Sequence, residues 1–342
     1  CRSRREGLAP GVSPHPMRCA LKILATARAL PPRVMTNAEL ETLVDTSDQW
    51  IAERTGIRER RIAAPEVATS DLAAEALLRA CAAAGIEPAA LDAIIVGTST
   101  PDTLFPSTAC WLQHRLGLRG PAAFDVSAGC SGFLYGLEIA ASLLHGGAGR
   151  IAVIGAEVMS KVVNWQDRST CVLFGDGAGA AILGAGDGRS GVLGSAWGAD
   201  GNLARVLCQP AGGTRLPASV ETVAAMAHTV HMEGNTVFKH AVTAMSEAAS
   251  QALARAALRP DEVDLLIPHQ ANTRIMEAAR ARTGVPADRL FSIVERYGNM
   301  SAATIPVALD EAREQGRIRD GSVVLMTAFG TGFTWAASAL RW

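Results

Sequence analysis

The chain of 342 residues is poor in aromatic side chains, in excess charge and in long apolar runs. Phe, Trp and Tyr make up 5% of it, and 32 basic residues against 33 acidic ones give a formal net charge of −1. Such a balance gives no general attraction to nucleic acid or to a membrane surface, and it leaves few rings for stacking on bases. No segment approaches the ~18 consecutive apolar residues of a membrane-spanning helix. The length and the 49% hydrophobic content instead predict a large core shared by two subdomains.

Cysteine pairs at redox or metal-binding spacing are also missing. The seven cysteines include no Cys-x-x-Cys pair and are odd in number, which in a chain of this size indicates a reduced, cytoplasmic protein. Residues 1–16 are polar and basic and lack the apolar core of a signal peptide. We expect a disordered extension there, before a fold that begins near Met17; an organelle transit peptide is the alternative. His228 and His231 lack the HExxH spacing, and we predict no metal site.

The chain repeats itself at an offset of 172 residues. Residues 88–96 resemble residues 260–268, and a second apolar run recurs in each copy at the same spacing. A constant offset across elements of the same type predicts an internal duplication. The predicted halves are 17–189, which carries the nucleophilic cysteine described below, and 190–342.

Both halves alternate helices with short apolar runs that lack polar alternation. Such runs are typical of strands covered on both faces, and their alternation with helices predicts mixed, largely parallel sheets in an α/β fold. The stretch 200–230 is expected to form an irregular capping loop. The predicted helices are 70–84, 107–117, 130–145, 235–258, 271–283 and 301–315. The predicted strands are 91–98, 122–126, 150–156, 263–267, 290–294, 322–328 and 332–340.

One cysteine lies where a short strand runs into a helix. The sequence Ala-Phe-Asp-Val-Ser-Ala-Gly-Cys-Ser-Gly-Phe at 123–133 places Cys130 on the first turn of that helix. Free backbone N–H groups and the positive end of the helix dipole favour thiolate over thiol there, and the thiolate is the nucleophile. A buried, inert core cysteine is the alternative interpretation.

Two segments of the second half end at equivalent junctions. Ile-Pro-His-Gln-Ala-Asn at 267–272 ends a strand, and Tyr-Gly-Asn-Met-Ser at 297–301 precedes a helix. Because duplication about a pseudo-twofold axis brings such junctions together, we expect Cys130, His269 and Asn299 to face one pocket, as a nucleophile with two hydrogen-bonding partners. Taken singly, the histidine could be a core residue and the asparagine a helix cap or turn residue.

These motifs together resemble the β-ketoacyl-[acyl-carrier-protein] synthase III family. The resemblance runs from about residue 18 to the C-terminus and implies a thiolase-like fold, in which two duplicated αβα halves form a five-layered αβαβα core, and a homodimer. The segments that carry it are 125–133, Pro-His-Gln-Ala-Asn at 268–272, Tyr-Gly-Asn at 297–299, Phe-Gly-Asp-Gly-Ala-Gly at 174–179 and Phe-Gly-Thr-Gly-Phe-Thr-Trp at 329–335.

The resemblance implies a decarboxylative Claisen condensation that initiates fatty acid biosynthesis. Cys130 would take the acyl group of acetyl-CoA or a similar short acyl-CoA, and malonyl-acyl-carrier-protein would then react as CO2 leaves. His269 and Asn299 would donate hydrogen bonds to the malonyl thioester oxygen. The backbone N–H groups of Cys130 and Thr331 would form the oxyanion hole, although many relatives have Gly at the second position. No tightly bound cofactor is implied, and neither nucleic acid nor a membrane is an expected partner.

The resemblance also assigns contacts outside the catalytic residues. Phe105 would reach across the dimer and close the acyl pocket of the partner. Trp50 and Arg168 would enclose the adenine ring of CoA. The CoA-binding set is Thr46, Trp50, Arg54, Arg168 and Asn272. The acidic carrier protein would dock on Lys239, Gln270, Ala271, Asn272, Thr273 and Arg274.

Three other interpretations stay open. A starter-unit condensing enzyme of a polyketide or other secondary-metabolite pathway would use the same three catalytic residues. A papain-like protease has Cys, His and Asn in this order, and here His269 follows Cys130 by 139 residues, but the Cys-Gly-Ser-Cys-Trp context of such proteases is missing. A non-enzymatic binding module would require the three residues to be idle. The sequence gives neither the acyl chain length nor the identity of the carrier protein.

Overall fold

A computed structural model describes residues 21–186 and 190–342. The predicted extension over residues 1–16 lies outside the described residues, and the division of the chain at 189/190 stays a prediction. No helix in the described ranges has both the length and the apolar character needed to cross a bilayer. The strands are β1 Leu21–Ala29, β2 Arg33–Thr36, β3 Glu59–Ile62, β4 Ala93–Gly97, β5 Ala122–Val126, β6 Arg150–Val158, β7 Asp176–Ala185, β8 Gly191–Ala199, β9 Leu207–Cys208, β10 His231–Met232, β11 Leu265–Pro268, β12 Val323–Gly330 and β13 Thr334–Arg341. The helices are α1 Asn37–Leu40, α2 Asp48–Thr55, α3 Thr69–Ala84, α4 Thr108–Leu116, α5 Gly132–His145, α6 Arg168–Cys171, α7 Val220–Ala224, α8 Gly234–Ala256, α9 Thr273–Thr283, α10 Val294–Tyr297 and α11 Thr304–Glu314.

Two mixed sheets form the centre of the molecule. The first has the strand order β1-β7-β6-β4-β5 and the second the order β11-β12-β13-β8. The pairs β4–β5, β4–β6 and β11–β12 are parallel, whereas β1–β7, β6–β7, β12–β13 and β8–β13 are antiparallel. Mixed sheets are therefore confirmed, but the expectation that they are largely parallel is wrong. The reason is that β7 and β13 each turn back beside the strand that precedes them, which gives an antiparallel pair.

The helices cover both sheets and fill the space between them. Helices α3 and α4 pack on the outer face of the first sheet, α5 and α11 lie between the two sheets, and α8 packs with α9 on the outer face of the second. The two central helices bury apolar side chains in a shared core that includes Phe133, Leu137, Ile305 and Leu309. This stacking is the predicted five-layered αβαβα arrangement, and it places the amino ends of α5 and α11 at the middle of the molecule.

The predicted strand at 290–294 is wrong. Leu290 forms a single parallel bridge with Leu266 of β11, and the Phe291 N–H donates to the Leu266 carbonyl at 2.9 Å. Beyond this bridge a side chain takes the place of a neighbouring strand. Gln270 Nε2 donates to the Phe291 carbonyl oxygen at 3.3 Å, and its Oε1 accepts from the Ile293 N–H at 2.9 Å. The chain then enters α10 at Val294. The β-branched, apolar composition of the segment suits a strand, but the Gln270 amide satisfies its backbone groups instead.

Candidate active site

Cys130 lies on a turn of 3-10 helix, Gly129–Ser131, between β5 and α5. Gly129 has a φ of +54°, and a Cβ added to it would lie 2.6 Å from the Thr331 nitrogen. A Cβ added to Gly330 would lie 2.4 Å from the Cys130 nitrogen. Only glycine permits backbone segments to approach so closely. The two glycines thereby bring together the backbone N–H groups of Cys130 and Thr331, the two groups that the sequence suggests for an oxyanion hole.

Ser301 lies beside Cys130 and links His269 to Asn299. It shares a cavity wall with Cys130, and its N–H donates to Asn299 Oδ1 at 2.8 Å. Its carbonyl oxygen accepts from the Thr304 hydroxyl at 2.9 Å, and that hydroxyl lies 2.7 Å from His269 Nδ1. The structure therefore places the histidine and the asparagine in one hydrogen-bonded cluster, whose serine lies on the same cavity wall as the nucleophile candidate.

A cavity of about 180 Å³ opens onto this cluster. Cys130, Ser301 and Thr331 line one part of it, and Leu207 and Cys208 of β9 line another. The stretch 200–230, which was expected to be an irregular loop and contains β9 and α7, thus contributes to the wall of the cavity. His269 and Asn299 do not belong to this lining. They are 2% and 7% exposed and lie behind Ser301, to which they are hydrogen-bonded directly or through Thr304.

Burial controls the protonation of the cysteine and the histidine. It raises the pKa of Cys130 to about 12, with the nearby Ser301 hydroxyl acting against this and the Glu157 carboxyl group adding to it. Burial also lowers the pKa of His269 to about 3. The resting site therefore holds a neutral thiol and a neutral imidazole. The expected preference for thiolate is wrong for the resting protein, because the loss of hydration outweighs the helix dipole.

The tautomer of His269 follows from counting hydrogens. The Thr304 hydroxyl has a single hydrogen, which it donates to the Ser301 carbonyl, so it must accept from the imidazole. Nδ1 therefore carries the hydrogen of the neutral ring, and Nε2 has a free lone pair. In this state Nε2 accepts a proton. For His269 to donate from Nε2, the ring must first be protonated, or the Thr304 hydroxyl must turn toward Nδ1.

Three side chains of the predicted CoA-binding set form one stack at the surface. The guanidinium carbons of Arg54 and Arg168 lie 4.7 and 4.9 Å from the centroid of the Trp50 ring. Trp50 lies on α2, and the Ser47 hydroxyl caps this helix by accepting from the Trp50 N–H at 3.1 Å. Thr46 precedes this cap, and its buried hydroxyl has no hydrogen-bond partner in the described chain. Because Arg168 already contacts Trp50, a ring could enter between them only if the arginine moves aside.

The amino end of α9 lies against the same segment. A Cβ added to Gly56, which ends α2, would lie 2.2 Å from the Thr273 Cγ2 atom. Asn272 caps α9 by accepting from the Ile275 N–H at 2.9 Å, and this leaves its amide nitrogen as the group that could bind a ligand. Asn272 and the Trp50 stack therefore belong to one continuous surface.

Two exposed cations lie close together beside that surface. The Arg274 guanidinium carbon lies 5.6 Å from the ring centroid of Phe238 on α8, and the next residue is the exposed Lys239. The assignment of Gln270 to carrier-protein docking is wrong, because its side chain is fully buried and bonded to the 291–293 segment. Ala271, which follows it, is half-buried.

Phe105 projects from the loop between β4 and α4. It is 84% exposed, and the preceding Leu104 is 76% exposed. In the described chain it does not line the cavity at Cys130. Its position therefore suits contact with another molecule and excludes a role in the acyl pocket of its own chain.

Sequence reasoning missed three residues of the cluster: Ser301, Thr304 and Glu157. Glu157 lies in the otherwise apolar strand β6 and is fully buried. A carboxylate in a buried strand is costly to hold, and this composition was the one sequence signal that could have identified it. The serine and the threonine carry no such signal, because short hydroxyl side chains at a helix start are common caps.

Known proteins match this chain over most of its length, and family models match parts of it. The family model described as 3-oxoacyl-[acyl-carrier-protein (ACP)] synthase III matches residues 124–201, and the model of its C-terminal part matches residues 253–342. The chain is 54% identical over 326 residues to the β-ketoacyl-[acyl-carrier-protein] synthase III of Caldanaerobacter subterraneus subsp. tengcongensis, covering 95% of this chain and 98% of that one.

Solved structures agree in fold over nearly the whole length. The 3-oxoacyl-[acyl-carrier-protein] synthase III of Aquifex aeolicus VF5 superposes with a TM-score of 0.87 at 44% identity, covering 94% of this chain and 100% of that one. The priming β-ketosynthase of the R1128 polyketide biosynthetic pathway also gives a TM-score of 0.87, at 34% identity, covering 97% of this chain and 98% of that one.

Proposed function

The chain belongs to the β-ketoacyl-[acyl-carrier-protein] synthase III family of condensing acyltransferases, which have a thiolase-like fold, and on that premise we propose its reaction. The enzyme condenses acetyl-CoA or a similar short acyl-CoA with malonyl-acyl-carrier-protein. The products are β-ketoacyl-acyl-carrier-protein, CoA and CO2, and the reaction initiates fatty acid biosynthesis.

The observation that carries this proposal is the cluster around Ser301. An imidazole and a carboxamide from separate loops are joined through Ser301 and Thr304, and Ser301 lines a small cavity together with the Cys130 thiol. A nucleophile next to hydrogen-bond donors and paired backbone N–H groups suits acyl transfer. The cavity of about 180 Å³ supports a short acyl group.

In the loading step, the Cys130 sulfur attacks the thioester carbonyl of the acyl-CoA. The bond from that carbonyl carbon to the CoA sulfur breaks, and CoA leaves as a thiol with the proton that Cys130 gives up. Nε2 of His269 has the free lone pair needed to relay that proton, and because an imidazolium is costly in this buried site, the proton reaches the CoA sulfur in the same step. The backbone N–H groups of Cys130 and Thr331 stabilise the oxyanion.

In the condensation step, the malonyl group loses CO2, and negative charge develops on its thioester oxygen. His269 and Asn299 donate hydrogen bonds to that oxygen, the histidine after its tautomer has changed. The new carbanion attacks the acyl carbonyl on Cys130. A carbon–carbon bond forms, the bond to sulfur breaks, and the Cys130 thiolate recovers a proton.

The surface around α2 and α9 accommodates the two carriers. Trp50, Arg54 and Arg168, with Thr46 and Asn272, hold CoA, and no tightly bound cofactor is needed. Lys239, Arg274 and Thr273, next to Ala271, hold the acidic carrier protein. In a homodimer, Phe105 closes the acyl pocket of the partner. The location of the protein in the cytoplasm stays a prediction.

A second candidate is the priming step of a polyketide or other secondary-metabolite pathway. The likeness to the R1128 priming β-ketosynthase favours it, and the chemistry at Cys130 would be the same. The two candidates differ in the acyl group that is loaded.

One experiment tests both candidates. The protein is incubated with acetyl-, butyryl-, octanoyl- or benzoyl-CoA, its intact mass is measured, and malonyl-acyl-carrier-protein is then added. We expect the acetyl or butyryl mass on the wild-type protein, none on Cys130→Ala, and loss of the adduct when the malonyl carrier arrives. Selective loading of benzoyl or octanoyl groups would favour the second candidate, and no loading from any of the four would contradict both.

A further inference from the structure

Thr331 has a side chain that the reaction above does not use. Its backbone N–H belongs to the oxyanion hole, and the residue lines the cavity at Cys130. Its hydroxyl donates a hydrogen bond to the Leu207 carbonyl oxygen. Its methyl carbon packs on Gly129, where an added Cβ would lie 2.8 Å from it. One side chain therefore contacts both β9 and the turn that carries Cys130.

The backbone around Thr331 is fixed to that turn. The Thr334 hydroxyl shares its hydrogen between the Ala128 carbonyl oxygen at 2.7 Å and the Thr331 carbonyl oxygen at 3.1 Å. The Ser131 hydroxyl donates to the Thr334 carbonyl oxygen at 3.3 Å. Because the two segments are bonded on both sides of Cys130, Thr331 keeps a fixed position relative to the nucleophile.

The strand register explains why the Leu207 carbonyl is available to Thr331. Leu207 lies opposite Met232 in the two-stranded sheet of β9 and β10, and one position further along the Glu233 N–H donates to the Val206 carbonyl at 2.9 Å. Hydrogen-bonded and non-hydrogen-bonded positions alternate in an antiparallel pair. The backbone groups of Leu207 therefore point away from β10, and its carbonyl accepts from Thr331 instead.

The wall that β9 forms is a small element. β9 and β10 have two residues each, and an isolated two-stranded sheet is at best marginally stable in water. On the β10 side, the Val230 N–H donates to the Val162 carbonyl at 2.8 Å. On the β9 side, the Thr331 hydroxyl holds Leu207. The position of this part of the wall therefore depends on one hydroxyl group.

We propose that Thr331 is a specificity-determining residue: its hydroxyl ties β9 to the turn that carries Cys130 and keeps the cavity at the size of a short acyl group. The cavity of about 180 Å³ must hold the acyl group and the thioester that delivers it. A longer acyl chain requires Leu207 and Cys208 to move outward, which breaks the bond to Thr331. The acyl group in this statement rests on the proposed function, whereas the tether itself does not.

Two variants separate the hydroxyl from the rest of the side chain. Thr331→Val keeps the branched shape but places a methyl group against the Leu207 carbonyl, whereas Thr331→Ser keeps the hydroxyl. Both keep the backbone N–H. The initial rates of loading from octanoyl-CoA and from acetyl-CoA are measured by intact mass and expressed as a ratio. A change in the oxyanion hole acts on both acyl groups alike and cancels in this ratio.

The ratio should change in only one of the two variants. Since one hydrogen bond to the wall is lost, we expect the octanoyl-to-acetyl ratio to rise about three- to tenfold in Thr331→Val. Thr331→Ser should keep the wild-type ratio, because its hydroxyl still reaches the Leu207 carbonyl.

Alkylation of Cys208 by iodoacetamide tests the tether without any CoA substrate. Cys208 lines the cavity beside Leu207, and burial raises the pKa of its thiol. Release of β9 would expose this thiol, and alkylation follows both exposure and the thiolate fraction. By peptide mass spectrometry, we expect Cys208 to react about three- to tenfold faster in Thr331→Val and at the wild-type rate in Thr331→Ser.

Thr327 provides a matched control on the same strand as Gly330. It is 2% exposed and donates to the Met245 carbonyl at 2.9 Å, but it does not line the cavity. Thr327→Val loses a comparable hydrogen bond and should leave the loading ratio and the Cys208 rate unchanged.

The proposal requires both changes in Thr331→Val. A wild-type ratio or a wild-type Cys208 rate in that variant would overturn it, and so would equal changes in Thr331→Ser or in Thr327→Val. If the wild-type protein loaded no acyl-CoA at all, the proposed function would fail and the specificity role with it. The Cys208 rates would still decide whether the tether exists.

Discussion

Asn299→Asp separates two roles of a single side chain. Asn299 Oδ1 accepts from the Ser301 N–H at 2.8 Å, while its backbone N–H donates to the Leu173 carbonyl at 2.8 Å and its carbonyl accepts from the Gly175 N–H at 3.1 Å. Because the Ser301 N–H is a donor, the amide oxygen must face it, and the amide nitrogen has no partner among the described residues. Aspartate keeps all three of these bonds and removes only the free NH2 donor.

The expected effect on condensation is large, and the effect on folding is small at a pH where the new, buried carboxyl group is protonated. Removing one donor aimed at developing charge costs about 3–4 kcal/mol of transition-state stabilisation, or roughly 10²–10³ in kcat. The new carboxylate also repels the developing negative charge. Asn299→Ala, by contrast, also leaves the buried Ser301 N–H without an acceptor, which costs about 1–3 kcal/mol of folding stability.

The assay follows one turnover by intact mass. Acetyl-CoA is added first, and the loaded protein is then mixed with malonyl-acyl-carrier-protein. We expect Asn299→Asp to load and to keep its acyl group at least about 100 times longer than the wild type. In thermal denaturation at acidic pH, where the new carboxyl group is neutral, it should melt above Asn299→Ala. Condensation by Asn299→Asp at the wild-type rate, or equal stability of the two variants, would contradict the roles assigned to the amide nitrogen and oxygen.

Three further outcomes are expected. Cys130→Ala should give no acyl adduct by mass with any CoA thioester. Trp50→Ala should raise the KM for acyl-CoA about tenfold with little change in kcat, since a cation–π contact is worth about 0.5–2 kcal/mol; an unchanged KM would remove Trp50 from the CoA site. Burial raises the pKa of Glu138 to about 6, so its contribution to stability is present at acidic pH and is lost as the pH rises through 6. Glu138→Gln should therefore gain about 2 kcal/mol at pH 8 in denaturant titrations and little at pH 4, and equal gains at both pH values would refute this.

The positions of Cys130 and His269 could be predicted because each lies at the end of a strand, whereas Asn299 follows the short helix α10. Cys130 follows β5, His269 follows β11, and both strands are short apolar runs visible in the sequence. The carboxyl ends of strands in α/β folds collect functional groups. The duplicated pattern then indicated that such ends from the two halves would meet.

The sequence could not show that a side chain, and not a neighbouring strand, would bond the backbone of residues 291–293. Gln270 lies in a motif that we assigned to carrier-protein docking at the surface. Its buried amide instead bonds the Phe291 carbonyl and the Ile293 N–H, as a neighbouring strand would. The composition of that segment, with β-branched and aromatic residues, predicts a strand equally well in either case. Only the three-dimensional position of one amide distinguishes the alternatives.

The protonation state of the site also depends on long-range structure. The helix dipole at Cys130 is a local property and can be inferred from the sequence, but the depth of burial and the proximity of Glu157 arise from distant segments. Both oppose the thiolate, and burial likewise keeps the imidazole uncharged. Transfer of the thiol proton to His269 would therefore separate charge in a dry site, at a large cost. Deprotonation is then favourable only when the same step delivers the proton to a departing group, so nucleophile activation is coupled to the departure of CoA.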